Sequence, residues 1–168
     1  MSKPNRMNRI VSKINLLPDI IRQRALTLGV TRMVPYVGTS LIRVEELTED
    51  RVVASIPNKH KVQNHIKNVH ATAMALLAET TSGFVTAMNL PDDKLPLIKS
   101  LHVDFKKRTT GAMRAVATIS AEQKEKICKE PRGDFPVEVH VTDASGAEPI
   151  RCEMIWAWVP RKKKSKDG

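Results

Sequence analysis

Three polar residues in one stretch of the chain have the types and spacing that could do chemistry together. His70 follows Asn64 by six residues, and Glu79 follows His70 by nine. With histidine counted as neutral, Glu79 is also the only charged side chain between Lys67 and Asp92. A carboxylate in such an apolar stretch needs a polar partner or a chemical role, because its burial alone is costly.

The residues around Glu79 predict a long buried helix over about 69–86. From Ala71 to Ala78 the side chains are Ala, Thr, Met and Leu, mostly strong helix formers. The segment is apolar on nearly every side, so we expect other parts of the fold to surround it.

The segment before this helix predicts a short helical segment, a second one from Pro18 to Leu28, and one hairpin. Apolar residues recur at three- and four-residue steps from Ile10 to Leu28, which is typical of an amphipathic helix, and Pro18 interrupts them. The second segment is expected to end at Gly29, and residues 35–38 are expected to form a loop. Two short alternating runs, 41–47 and 51–56, flank a tight polar connection and predict a hairpin.

The segment after the helix predicts four strands. The expected strands are 97–105, 112–120, 137–141 and 150–158, with 89–96 and 121–133 as loops. Short connections usually pair neighbouring strands, so this order predicts an α+β fold in which an antiparallel meander curls around the buried helix.

Composition limits the class of protein. The chain has 168 residues, 41% of them hydrophobic, which fits one domain with a substantial core. No apolar run is long enough to predict a transmembrane helix, and two cysteines without metal-site spacing suit a reducing, cytoplasmic setting. The net charge of +10 favours polyanionic partners, and the basic tail 161–168 is expected to be disordered.

The element order, together with the Asn64–His70–Glu79 spacing, resembles the hotdog fold. Within that fold the chain is similar to the phenylacetate-pathway-like acyl-CoA thioesterases and their uncharacterised relatives. Their motif is Asn, then His-Gly-Gly six residues later, then Asp or Glu nine residues after the His. Here Ala71 and Thr72 replace the two glycines. The resemblance implies a hotdog domain over 37–160, preceded by an N-terminal helical segment, 1–36, packed on it.

The resemblance further implies hydrolysis of an acyl-CoA to free acid and coenzyme A at a site shared by two subunits of a homodimer or a dimer of dimers. Glu79 would be general base or nucleophile, and Asn64 would orient the water or the carbonyl. N–H groups at the helix start, near His70 and Ala71, would stabilise the oxyanion. Glu79 and His70 are about 13 Å apart along a helix, which is why two chains would be needed. No metal and no cofactor other than the coenzyme A of the substrate are expected.

A second group of residues is assigned to substrate binding by the same resemblance. The cationic run Lys106, Lys107 and Arg108 would hold the nucleotide phosphates, for which Arg and Lys are suited in different ways. Asn68 and Ser100 complete the expected substrate-binding residues.

Other interpretations of these residues stay open at this point. Glu79 could be a structural acid paired across a dimer, His70 a helix cap, and Asn64 and Asn68 parts of a loop. Burial would raise the pKa of Glu79 and a facing helix start would lower it.

Two other functions are also open. The missing glycines favour a non-catalytic protein that binds acyl-CoA or an acyl carrier. The charge and the basic tail would suit a nucleic-acid or membrane-surface binder, although no specific nucleic-acid motif is present.

Overall fold

The computed structural model describes residues 4–161, which contain five α-helices and six strands. The helices are α1 (Arg6–Ile14), α2 (Asp19–Met33), α3 (Pro35–Thr39), α4 (Ala71–Asn89) and α5 (Ala121–Lys129), and a 3-10 turn covers His60–Val62. The strands are β1 (Arg43–Leu47), β2 (Arg51–Ile56), β3 (Lys94–Phe105), β4 (Met113–Thr118), β5 (Gly133–Asp143) and β6 (Ile150–Pro160). The predicted tail lies outside these residues apart from Arg161.

The six strands form one antiparallel sheet in the order β1-β2-β4-β5-β6-β3. The sheet curves around α4, which packs against β2, β3, β4, β5 and β6. The predicted α+β fold, with a curved antiparallel sheet around one long helix, is confirmed, although the helix runs over 71–89 rather than 69–86.

Three buried hydroxyls of α4 have hydrogen-bond acceptors inside the helix, which lets it be buried on most sides. The hydroxyls of Thr81, Ser82 and Thr86 donate to carbonyls one turn earlier, at 2.6–3.0 Å. All three side chains are buried. Because these hydroxyls keep hydrogen-bond partners, burying them does not incur the cost of an unsatisfied polar group.

The final strand approaches α4 most closely at Trp156. The Trp156 indole N–H donates to the Ser82 hydroxyl at 2.9 Å. A Cβ atom added at Gly83 would lie 2.6 Å from Trp156 Cζ2, closer than real Cβ contacts. Gly83 therefore permits the contact between helix and sheet. Both Trp156 and Trp158 are buried, so these tryptophans fill the core.

The N-terminal helices are tied to the rest of the domain at both ends. Asn5 caps α1, and its side-chain amide donates to the carbonyls of Ala87 at 2.8 Å and Leu90 at 2.6 Å, at the end of α4. Further along, α2 covers the free edge of β1, where the Thr27 hydroxyl accepts the Val44 N–H at 2.9 Å. The N-terminal segment is thus packed on the domain.

The expected meander is wrong in one respect. β3 pairs with β6, and β2 pairs with β4. The long helix between β2 and β3 carries the chain across the sheet, so β3 starts at the far edge and the next strand returns to β2. A short connection predicts that two strands are neighbours, and this rule does not apply where a helix lies between the two strands.

Several local boundaries also differ from those expected. Gly29 lies within α2 instead of ending it, and 35–38 belongs to α3, which crosses the expected domain boundary at 36/37. β3 begins at Lys94, inside the expected loop 89–96. The expected loop 121–133 contains α5, which starts with a capping box in which Ser120 and Gln123 bond each other's backbone N–H.

Candidate functional site

Glu79 lines an apolar pocket of about 330 Å³, called here the Glu79 pocket. Its walls come from the end of α2, the start of α3, α4, the start of β3 and Trp156. Glu79 is half-buried, and it is the only ionisable side chain of the lining. A pocket with apolar walls and one carboxylate suits an apolar ligand that brings its reactive group to the acid.

The environment of Glu79 favours its protonated form. Burial raises the pKa of the Glu79 carboxyl above its ordinary value, and a hydrogen bond from the Thr80 hydroxyl, 3.4 Å long, opposes this only in part. No Lys, Arg or His of residues 4–161 forms an ion pair with Glu79. A carboxylate with a raised pKa is better suited to accept a proton than an ordinary surface glutamate.

The Glu79 pocket has a buried floor and an exposed rim. Val37, Phe84 and Trp156 are 1%, 7% and 7% exposed and form the floor. Met33 and Leu97 are 60% and 50% exposed and lie at the rim. Sequence reasoning did not find Met33 or Val37, because it treated the N-terminal segment as packing only, and no motif marks them.

The start of α4 has a separate pocket of about 300 Å³, which shares no lining residue with the Glu79 pocket. His70 is the N-cap, and its Nδ1 accepts the Thr72 N–H at 3.2 Å. The N–H groups of His70 and Ala73 donate to the carbonyls of Val62 and His70. Within residues 4–161, the Ala71 N–H is the first-turn donor without an acceptor. The interpretation of His70 as a cap is thus confirmed, and Ala71 is the donor that could bind an oxyanion.

Asn64 and Asn68 organise the loop that leads to α4. The Asn64 side-chain oxygen accepts the N–H groups of Ile66 and Asn68, each at 3.1 Å, and the Asn64 N–H donates to the Asn68 carbonyl at 2.9 Å. Lys67 takes a left-handed conformation, with φ of 60°, inside this loop. The interpretation of both asparagines as loop residues is therefore confirmed, and the side-chain nitrogen of Asn64 is left for other contacts.

The cationic run follows β3 directly and is exposed. Lys106 is paired with Asp104 at 3.1 Å, and the Lys107 and Arg108 side chains are exposed. Nine residues of chain separate Lys106 from Leu97 at the Glu79 pocket, which is about 30 Å along a strand. Ser100 is exposed in the middle of β3, opposite Ile155. Neither the cationic run nor Ser100 lines the Glu79 pocket of its own chain.

In one chain, then, the expected catalytic residues form two groups rather than one. Glu79 lies in its apolar pocket, while Asn64, His70 and Ala71 lie around the start of α4. Among residues 4–161, no cluster of three or more His, Cys, Asp or Glu side chains is arranged to hold a metal ion, and no helix is long and apolar enough to cross a bilayer.

A family model described as a domain of unknown function, DUF4442, matches residues 22–159. The chain belongs to the DUF4442 family. This match covers α2 through β6 and so includes both pockets. Among curated proteins none matches the chain.

Several solved structures with the same fold are described as thioesterases. A Pseudomonas aeruginosa protein described as a probable thioesterase superimposes with a TM-score of 0.73 at 20% identity, over 86% of this chain and 97% of its own. A thioesterase from Haemophilus influenzae gives 0.61 at 14%, over 77% and 85%. A thioesterase family protein from Silicibacter pomeroyi gives 0.62 at 14%, over 82% and 96%. The expected resemblance to hotdog-fold thioesterases is confirmed at the level of fold.

Proposed function

We propose that this DUF4442 protein hydrolyses an acyl-CoA thioester at a site shared by two subunits. The observation that carries the proposal is Glu79, a lone carboxyl with a raised pKa at an apolar pocket next to an exposed sheet edge. Thioesterases of the same fold, though distant in sequence, support the same class of reaction.

The exposed edge of strand β3 supports the proposal that a second subunit contributes to the site. In residues 4–161 it has one neighbour, β6, so its other edge is unpaired over a 12-residue strand. Leu97, Ile98, Leu101 and Phe105 on this strand are 39–53% exposed. A long, apolar, unpaired edge favours pairing with another chain. Because Leu97 and Ile98 also line the Glu79 pocket, a chain that pairs with β3 would arrive beside Glu79.

Two-fold symmetry would then bring the separate groups of residues together. An antiparallel β3 pair centred near residue 100 sets the end of one strand beside the start of the other. The partner's cationic run, 106–108, would lie opposite residues 92–94, about 10 Å or more along the strand from Leu97 at the Glu79 pocket. The start of the partner's α4, with the Ala71 N–H, would face Glu79 as the fold resemblance implies.

The chemistry assigned to this shared site is direct hydrolysis. Glu79 accepts a proton from water, and the oxygen attacks the thioester carbonyl carbon. The Ala71 N–H of the other chain donates to the oxyanion that forms. The C–S bond then breaks, the acid is released, and the coenzyme A thiolate takes a proton. In a nucleophilic route, a carboxylate oxygen of Glu79 attacks the carbonyl carbon and expels the coenzyme A thiolate to give a mixed anhydride, which water then hydrolyses to the free acid and Glu79.

A thiol-release assay over a panel of acyl-CoA substrates tests the proposal. Wild type is expected to release coenzyme A, and Glu79→Gln to lose about 100-fold or more in kcat/KM, since general-base catalysis contributes about 10²–10⁴-fold. Glu122→Gln, an exposed carboxylate at the start of α5, is the matched control and should keep full activity. Equal activity of Glu79→Gln and wild type would exclude Glu79 from the reaction.

A non-catalytic acyl-CoA-binding protein is the second candidate. The Ala71 methyl group, in place of a glycine, lies where a thioester carbonyl would approach the helix start, and the Asn64 side-chain oxygen is occupied by its own loop. This candidate predicts that calorimetry detects acyl-CoA binding while no coenzyme A is released. Absence of both binding and release would exclude both candidates.

A further inference from the structure

The turn between α1 and α2 carries apolar side chains that the fold leaves in water. Four of them occur within six residues and are strongly exposed: Leu16 at 85%, Leu17 at 38%, Ile20 at 70% and Ile21 at 55%. Scattered exposed leucines are ordinary, but a contiguous group of this kind marks a contact surface. We call these four residues the α1–α2 corner.

The surroundings of the corner are strongly basic. Residues 4–34 contain six basic side chains and one acidic side chain, Asp19, for a net charge of +5. Asp19 is itself paired with Arg22 at 2.8 Å. Lys13 on α1 and Arg24 on α2 are exposed, and neither forms an ion pair within residues 4–161.

We propose that the α1–α2 corner docks the protein onto an anionic lipid bilayer. The four aliphatic side chains enter the boundary between headgroups and acyl chains, and Lys13 and Arg24 lie at the level of the lipid phosphates. This combination of exposed aliphatic residues and flanking cations is what binding at a bilayer surface requires. The proposal does not depend on hydrolysis by Glu79.

Other occupants fit the corner less well. A second copy packed on it would bring Lys13 and Arg24 against their own equivalents, and like charges at an interface are unfavourable. The corner also lies by β1, where the Asn15 side chain donates to the Leu47 carbonyl at 2.9 Å, whereas β3 is the opposite end of the strand order. A nucleic acid would neutralise the cations but leave the aliphatic side chains in water.

Co-sedimentation of the full chain with vesicles tests the proposal. The protein is expected to bind vesicles of equal parts phosphatidylcholine and phosphatidylglycerol much more tightly than vesicles of phosphatidylcholine alone. Leu16→Ser combined with Ile20→Ser should weaken binding roughly tenfold or more, because two inserted aliphatic side chains are lost. Lys13→Glu combined with Arg24→Glu should have a similar effect at low salt, and added salt should reduce the difference from wild type because it screens these charges.

Two control variants separate the corner from the rest of the surface. Ile66→Ser removes an exposed isoleucine elsewhere, and Arg151→Glu reverses an exposed charge on β6; both should bind vesicles as wild type does. A chain that ends at residue 161 should keep most of its binding.

Three results would overturn the proposal. One is no preference for anionic vesicles. Another is that vesicle binding is lost only when the tail is removed. A third is that sedimentation shows a changed oligomeric mass for the Leu16→Ser/Ile20→Ser variant, which would make the corner an interface between copies.

Discussion

Replacing Gly83 by alanine should destabilise the fold, because α4 touches β6 through this glycine. The added Cβ atom would lie 2.6 Å from Cζ2 and 2.7 Å from Cη2 of Trp156. Trp156 is 7% exposed, and the hydrogen bond of its indole N–H to the Ser82 hydroxyl limits how far its ring can move toward the Glu79 pocket. The ring must shift, and with it the indole N–H that donates to the Ser82 hydroxyl.

The magnitude follows from two costs. Overpacking a core by one methyl group costs about 1–3 kcal/mol. The weakened Trp156–Ser82 hydrogen bond adds about 1 kcal/mol. We therefore expect the free energy of unfolding to fall by about 2–4 kcal/mol, which for a chain of this size lowers Tm by roughly 4–16 °C.

Urea unfolding followed by tryptophan fluorescence measures the effect and reports on Trp156 itself. Gly29→Ala is the matched control, since nothing lies within 4 Å of a Cβ added at Gly29 in the interior of α2. It should raise the stability by about 0.5–1 kcal/mol, the usual gain of alanine over glycine in a helix. A Gly83→Ala protein as stable as wild type would refute the tight contact between α4 and Trp156.

Three further predictions concern single side chains. Burial raises the pKa of Glu79, so the contribution of Glu79 to stability is present at low pH and is lost as pH rises through the folded-state pKa. The free energy of unfolding of Glu79→Gln should therefore exceed that of wild type by a margin that grows above about pH 4.5. A constant difference between the two pH–stability curves would contradict this. Lys94→Met should lower the free energy of unfolding by about 1–3 kcal/mol and speed amide exchange in α5, because the buried amine of Lys94 donates to the Ile127 carbonyl at 2.5 Å. Unchanged exchange would show that α5 does not need this hydrogen bond. Leu101→Arg places a charge in the middle of the β3 edge and should shift the protein to monomers by analytical ultracentrifugation, with Arg151→Glu as the control; a monomeric wild type would argue against pairing through β3.

The sequence was sufficient for the general fold because its helix and strand patterns extend over many residues. The apolar run from Ala71 to Ala78 predicted a buried helix, and alternation predicted strands on both sides of it. The sheet order could not be read in the same way. Which strand lies next to β2 depends on where α4 delivers the chain, and no local residue pattern records that.

Local errors have identifiable causes. The charged segment 121–133 looked like a loop, but Ser120 and Gln123 form a capping box whose spacing was present in the sequence. Gly29 looked like a helix end, yet the packing of Leu26 and Val30 against the domain carries α2 past it. Tertiary contacts outweigh the weak preference of a single glycine.

The candidate site was only partly visible in the sequence. The Asn64–His70–Glu79 spacing marked the correct segment, and His70 and Asn64 hold the backbone that precedes and begins α4. The walls of the Glu79 pocket were not predicted. Met33 and Val37 come from a segment more than 40 residues earlier, and only the folded arrangement brings them beside Glu79.

The most direct test of a site shared by two subunits is complementation between two inactive variants. Glu79→Gln removes the base, and Ala71→Pro removes the N–H that would bind the oxyanion. Proline is well tolerated at the first position of a helix, and His70 already has the extended conformation, with ψ of 144°, that a following proline requires.

The two variants would be co-expressed with different tags, and acyl-CoA hydrolysis would be measured on the mixed dimers. In a mixed dimer one site carries both changes and the other carries neither, so shared sites predict about half of wild-type activity per purified heterodimer. Each homodimer should be inactive. Heterodimers no more active than the two parent homodimers, with both variants folded and dimeric, would contradict a site built from Glu79 of one chain and the α4 start of the other.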